Sequence, residues 1–525
     1  KEFHKIPDYN NYLIYIFSKL EATEQNAQIR VSAGLQLKNN ILQYYEKFQP
    51  SVKRFIQMQV LDCLGDESSN VRITAGGIIS AIVKKGKLKD WPNLIETLVN
   101  ALSRSDTPPR FIDGILSSVS MICEDSACDM CNSTDPQSEP VANILIPLLL
   151  KYLSHELSQF RYQALRSLNQ FINVMPQVFI NHFTDFLNGI FSLANDPASK
   201  TRACACNSFL LLSSVRVDLL LPCFDLVVPI MIQFTKDDDD EIALKGCEFW
   251  NVITDYGIAK DALRPHLPAL VPLLLDCMVY SEEEQYILQY EQEDTDVPDQ
   301  PQDIEPVQYK SFRDNSDFDE YGEYDEDEED DEEGGYEDYS DWNLRRCSAA
   351  SLDYLAQLYR SELLNILIPI LKEKMNNQNH WSVSESIILA LGAIAKGCEA
   401  GMSKFLPQIV PYFFEQLKNP EVLVRSITCW SISRYSTWIT EQDPKLYLEP
   451  LLAQLLTHMI DRNKSVQQAA CTAITLLQES TRISLLKYIG PYVSTICKAF
   501  TMYQKRNLKI LYDTIGIFAE ATIRR

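Results

Sequence analysis

With 525 residues, 46% of them apolar, the chain has material for a continuous core, yet no uninterrupted apolar stretch reaches the roughly 18–20 residues of a membrane span. Its net charge of −24 is local: residues 281–341 hold 27 acids against two bases, Lys310 and Arg313, and the other 464 residues sum to +1. A near-neutral array beside a polyanionic block excludes direct nucleic-acid binding, since no basic stripe offers phosphate contacts and the block repels them.

From the N-terminus the sequence outside that block reads as helices, with apolar residues three and four apart. One pattern recurs: an acidic or Asn-rich turn, an apolar residue followed by a base, then a helix of small and aliphatic residues. Val71-Arg72 follows such a turn, as do Phe160-Arg161, Thr201-Arg202 and, without the base, Ile242-Ala243. Leu344-Arg345, Val383-Ser384, Val424-Arg425 and Val466-Gln467 continue the series. The intervals are 41 from Arg161 to Arg202, 41 to Ala243, then 39, 41 and 42 from Arg345 through Ser384 and Arg425 to Gln467. A period of this length with two helices per unit belongs to the HEAT/armadillo class. The expected fold is therefore all-α: a HEAT-repeat superhelical solenoid of about 11 repeats.

The interval from Ala243 to Arg345 is 102 residues, one period plus the 61 residues of the acidic run. The run is thus an insertion into an unbroken array. Its charge density and scarcity of aliphatic residues predict a disordered loop. Residues 266–279 read as the first helix of a unit and 342–359 as the second, so the loop joins two helices of one repeat. Three regions follow: N-terminal repeats 1–280, acidic loop 281–341 and central repeats 342–525. The second helix of each unit is the expected inner one, lining a concave surface.

No phosphate-binding loop, nucleophile elbow or HExxH is present, so neither an enzyme nor a cofactor is expected. The 14 cysteines lie mostly within helical patterns, as free thiols do in a reducing compartment. The chain opens at Lys1 with no signal peptide visible. Cys123, Cys128 and Cys131 form C-x4-C-x2-C. This is either part of a zinc site lacking its fourth ligand or, more simply, free thiols in an inter-repeat loop. The tetrad Asp237–Asp240 lacks the spaced ligands of a calcium loop and reads as a solvated turn favouring the next helix N-terminus.

Particular strings carry a resemblance. Ile6-Pro7-Asp8-Tyr9-Asn10-Asn11-Tyr12-Leu13 and Gly34-Leu35-Gln36-Leu37-Lys38-Asn39-Asn40 resemble the N-terminal repeat of importin-β family receptors, in particular the transportin (karyopherin-β2) branch. Asp341-Trp342-Asn343-Leu344-Arg345-Arg346-Cys347-Ser348-Ala349-Ala350 is similar to the segment after that branch's acidic loop, and Leu423-Val424-Arg425-Ser426-Ile427-Thr428-Cys429-Trp430 to a later repeat. The resemblance covers essentially the whole chain, while members continue for several repeats beyond the position of Arg525.

The resemblance implies a nuclear import receptor shuttling between cytoplasm and nucleus through the pore and its nucleoporins. It implies cargo such as RNA-binding proteins, carrying basic signals that end in a proline–tyrosine motif, and release of that cargo by Ran in its GTP form with help from the acidic loop. Matching positions for cargo are Ala349, Ala350, Asp353, Leu389, Ala393, Ile427, Trp430, Arg434, Glu479 and Asp513. For Ran the match falls on Lys38, Asn39 and Asn40. Spacings of three, four and seven within the cargo set put each group on one helix face. Small residues leave room for a peptide backbone, Trp430 offers a flat apolar platform, and carboxylates suit a basic peptide. Ile517 and Glu520 stand where the family carries polar and Asp residues, so the outer part of the site is expected to differ in preference. Against these readings, a tryptophan at helical spacing is also an ordinary core residue, and Asn39-Asn40 also reads as a helix terminus. A second function fits the charge alone: a chaperone whose acidic loop shields basic clients such as histones or ribosomal proteins.

Overall fold

The computed structural model describes residues 8–21, 23–104, 106–132, 139–255, 257–288, 294–299, 342–376, 380–481 and 487–523. Among them the regular structure is helical, with no strand. The chain forms two compact units, Lys1–Phe249 and Trp250–Arg525. The first contains α1 (Tyr9–Lys19), α2 (Glu24–Tyr44), α3 (Pro50–Asp62), α4 (Ser69–Gly86), α5 (Leu94–Ser103), α6 (Pro109–Cys131), α7 (Ala142–Tyr152), α8 (Ser158–Asn169), the short α9 (Gln177–Asn181), α10 (Phe183–Leu193), α11 (Ser199–Leu220) and α12 (Phe224–Thr235). Helix α13 (Asp240–Asp255) spans the division. The second unit contains α14 (Lys260–Leu263), α15 (Leu267–Cys277), α16 (Glu282–Leu288), α17 (Leu344–Tyr359), α18 (Ser361–Asn376), α19 (Trp381–Ala393), α20 (Glu399–Met402), α21 (Leu406–Gln416), α22 (Val422–Ser433), α23 (Ser436–Glu441), α24 (Leu448–His458), α25 (Lys464–Thr481), α26 (Ile489–Met502) and α27 (Lys505–Ile523).

The long helices pair into the antiparallel hairpins of a HEAT solenoid, α1 with α2 through α26 with α27. First helices are apolar on the side facing their partners and often carry an internal proline: Pro147, Pro229, Pro272, Pro369 and Pro411. Each proline removes an N–H from the helix ladder. The second helices pack on one another in sequence within each unit, α2 on α4 on α6, and α19 on α22 on α25. Close approach is possible because their facing positions are small. Buried Ser167, Ser351 and Thr428 return their hydroxyls to the carbonyl one turn back, at 2.8, 2.9 and 2.6 Å, so these three hydroxyls are not stranded. At Gly114 a Cβ would stand 2.1 Å from the Leu64 carbonyl oxygen, which leaves glycine as the residue that fits.

The recurrent base proves to be a connector between repeats. Arg72, Arg161, Arg202 and Arg425 each donate to two carbonyls of the turn that precedes their own helix. Each also reaches an acid in the following repeat: Asp113, Asp196, Asp237 and Asp461, at 2.6–3.1 Å. Arg345 pairs with Glu385 in the same way and stacks on Tyr280, its guanidinium carbon 4.3 Å from the ring centroid. Asp196, Asp237 and Asp461 close their own turns as well, each accepting from the N–H two residues on at 2.9–3.1 Å. Asp237 is therefore a paired residue, and the expected solvated turn is more exactly a capping turn, with Asp239 accepting from Glu241 and Ile242 at the start of α13.

Burial alone would raise the Asp461 carboxyl, but hydrogen bonds from His458 and Arg425 hold it down at about 2, against an ordinary 3.8. A depressed carboxylate contributes stability that is present above 3.8 and lost as pH falls toward 2. The second unit should therefore weaken over that window in a denaturation series. Asp461→Asn should remove that part of the pH dependence; parallel curves for the two proteins would contradict the linkage.

Several expectations are corrected. Helix α15 and helix α17 do flank the insertion and pack together. The acidic run, however, begins as structure: α16 lies within it, and residues 294–299 are docked on the second unit. Residues 300–341 lie outside the described set. Asn39-Asn40 does not end a helix, since α2 continues to Tyr44, where its second half packs under α4. Cys123, Cys128 and Cys131 are in α6 rather than a loop, the last two beyond a kink at Ser126. Burial pushes the Cys123 and Cys131 thiols up, the latter to about 11, and no cluster of three metal-ligating side chains occurs among the described residues. The stretch Lys260–Leu288 does reach the length and apolarity of a membrane span, with a mean hydropathy of 1.3. It is divided among α14, α15 and α16, and α15 buries Leu270, Val271 and Leu274 within the second unit.

Candidate functional site

The second helices after the insertion, α17, α19 and α22, stand side by side and carry most of the residues expected at a binding surface. Two hydrogen bonds fix the rotation of α22 on α19: Ser431 to the Ile388 carbonyl at 2.8 Å and Tyr435 to the Leu391 carbonyl at 2.5 Å. With positions 431 and 435 turned into that contact, Ile427, Trp430 and Arg434 form an adjoining, half-buried stripe.

The Arg434 guanidinium lies over the Trp430 ring, 5.2 Å from its centroid, a cation–π pair. The Arg434 Nε is buried without a hydrogen-bond partner. Asp353 on α17 is half-buried and bonded to Gln357 at 3.2 Å. Burial pushes its carboxyl up, while the charges of Arg434 and Lys396 pull it back. The structure thus brings Asp353 within electrostatic reach of Arg434, and through it of Trp430. A flat apolar ring, a guanidinium with a spare donor and a carboxyl that gains from a cationic neighbour make a surface suited to polypeptide.

The buried members of the set have a different place. Ala349, Ala350, Leu389 and Ala393 are all buried, at 4–7% exposure, and form the floor between the helices. Glu479 on α25 and Asp513 on α27 are exposed, one and two second helices further along. Ile517 is half-buried on α27; the side chain of Glu520 lies outside the described set. Gly392 is a residue the sequence pattern did not single out. A Cβ there would meet the Trp430 ring at 2.3 Å and the Ser431 hydroxyl at 2.6 Å, so its absence lets the ring pack closely against α19. Only the facing tryptophan makes this glycine matter, and that pairing is 38 residues distant in sequence.

In the first unit, Lys38, Asn39 and Asn40 follow one another in the second half of α2. Asn39 is exposed and Lys38 half-buried, with its aliphatic stem near Gly77 of α4. Asn40 donates to Asn10 at 3.0 Å and so ties α2 to α1.

A HEAT-repeat array interrupted by an acidic insertion is the architecture of a karyopherin. Family models agree: an importin-beta N-terminal domain matches residues 1–66, an exportin 1-like model 68–207 and a HEAT-like repeat 381–435. The chain is 41% identical over 522 residues to transportin-1 of Mus musculus, covering 99% of this chain and 57% of that protein. The solved structure of importin beta in an ammonium sulfate condition shares the fold, with a TM-score of 0.76 at 16% identity over 98% of this chain and 58% of that one. Kap95 is similar in fold too: its complex with Nup1 gives 0.70 (16% identity, 98% and 57% covered) and its complex with Ran 0.71 (16%, 99% and 57%). The chain belongs to the transportin/importin-β family, and it spans a little under three fifths of the length of the mouse relative.

Proposed function

We propose that the protein is a nuclear import receptor that takes basic proline–tyrosine signals on the surface of Asp353, Trp430 and Arg434 and yields them to Ran in its GTP form. The observation that carries this reading is the half-buried Trp430–Arg434 pair, framed by small buried residues on α17 and α19, directly after the acidic insertion of a karyopherin. A signal's aromatic end would lie on the indole, its carbonyls would satisfy the spare Arg434 donor, and its basic residues would meet Asp353 and, further along, Glu479 and Asp513. Lys38 and Asn39 would contact Ran. Nucleoporin contacts and shuttling between cytoplasm and nucleus follow from the same class.

The acidic run supplies a tethered competitor for basic cargo. Tethering raises the local concentration of carboxylates, and a partner that holds the run over the surface couples two distant sites. An immobilised basic proline–tyrosine peptide should retain the protein and release it with GTP-loaded but not GDP-loaded Ran. Deleting residues 282–340 should leave cargo and Ran bound together. Loss of the protein to polyglutamate with no Ran effect would instead favour the histone or ribosomal-protein chaperone.

A further inference from the structure

We propose that the edge formed by the turn before α25 and the turn before α27 is a binding site for a short acidic segment, which Asp294–Asp299 of this same chain occupies. This goes beyond the receptor function, because it concerns neither cargo nor Ran.

The segment is held along its length. Its two terminal carboxylates cap the second helices of two successive repeats: Asp294 accepts from the Lys464 N–H at 2.7 Å, and Asp299 from the Arg506 N–H at 2.9 Å. Those amides belong to the first turns of α25 and α27, where free N–H groups and the helix dipole favour an anion. Lys464, 6% exposed, extends its ammonium under the strap to Asp299 and to the Val297 carbonyl, both at 2.6 Å. Gln504 acts as a side-chain strand: its amide N–H donates to the Thr295 and Val297 carbonyls at 2.9 and 2.8 Å, and its oxygen accepts from the Asp299 N–H at 2.7 Å. Thr295 donates to the Arg462 carbonyl from both its backbone and its hydroxyl. Burial alone would raise the Asp299 carboxyl, yet the Arg506 amide and Lys464 keep it low, as befits an ion seated in a donor pocket.

Two features mark this as a site rather than incidental contact. Buried ammonium groups require a counter-ion, and among the described residues Lys464 finds its own in this strap, at Asp299. The side chains that do not face the helices, Asp296, Val297 and Pro298, are exposed, so specificity rests on carboxylates five positions apart with a threonine next to the first. In repeat terms the strap leaves the seventh repeat and is anchored at the tenth and eleventh. It therefore pins the start of the acidic run at a fixed place on the second unit.

Amide hydrogen exchange tests the docking in the full chain. The Thr295 and Asp299 amides should be protected on the order of tenfold or more, and Asp299→Asn or Lys464→Met should abolish this. Asp299→Asn alters only the strap, so it separates undocking from misfolding. A labelled peptide of sequence Asp-Thr-Asp-Val-Pro-Asp should then bind in trans to a chain carrying Asp294→Asn and Asp299→Asn, and Lys464→Met in that chain should eliminate the binding. Unprotected amides in the parent chain, protection unchanged by Asp299→Asn, or equal peptide binding with and without Lys464 would overturn the proposal. Cargo and Ran play no part in these readings, so failure here leaves the receptor function standing.

Discussion

Replacing Asp196 by alanine should destabilise the first unit by about 3–5 kcal/mol, the cost of leaving one member of a buried ion pair without the other. Asp196 is 2% exposed and its partner Arg161 13%. The substitution also removes the Asp196 bond to the Ala198 N–H at the start of α11, a cap of about 1 kcal/mol by itself. Because solenoid stability is a sum over neighbouring interfaces, the loss should appear as early separation of the fourth repeat from the fifth. Guanidinium denaturation followed by hydrogen exchange of α8 and α11 would show it. Arg161→Met together with Asp196→Leu should recover part of the loss, since a well-packed apolar pair carries no desolvation cost. A midpoint for Asp196→Ala indistinguishable from the parent would mean that the pair is an ornament of the fold.

The second large effect concerns recognition. Trp430→Ala should weaken a basic proline–tyrosine peptide by about 2 kcal/mol or more, roughly 30-fold, as truncation of a central aromatic anchor does. Gly392→Val tests the same surface without deleting the ring, since the added side chain must displace the indole. Both variants should lose peptide affinity, and both should keep the melting behaviour of the first unit. Fluorescence anisotropy of a labelled peptide gives the affinities. If Trp430→Ala binds like the parent while Asp353→Asn does not, recognition is electrostatic and the platform has no part in it.

Much of this was legible beforehand because the period is carried by local chemistry. A polar turn and an apolar residue, often followed by a base, open many of the second helices, so the repeat length and the site of the insertion could be counted. What the bases do was not legible. Arg161 and Asp196 look like members of unrelated turns until the fold sets one repeat on the next. Gly392 and Trp430 were likewise coupled only by packing. The helix-terminus alternative for Asn39-Asn40 failed because asparagine's turn preference was overridden by the contact of α2 with α4. The strap was hidden most completely: in a block so acidic, nothing distinguishes Asp294 and Asp299 from their neighbours except the two helix starts and the lysine that receive them.

The arginine connectors also give the array a direction. In each pair of this series the cation is supplied from the N-terminal side and the anion from the C-terminal side. An array cut at one of these five interfaces would therefore bare the arginine at one new end and its acid at the other. Such pieces are complementary head to tail but not head to head, and contacts of that kind propagate rather than close. Fragments of this protein should thus tend to stack into open rows, in the register their own repeats already use.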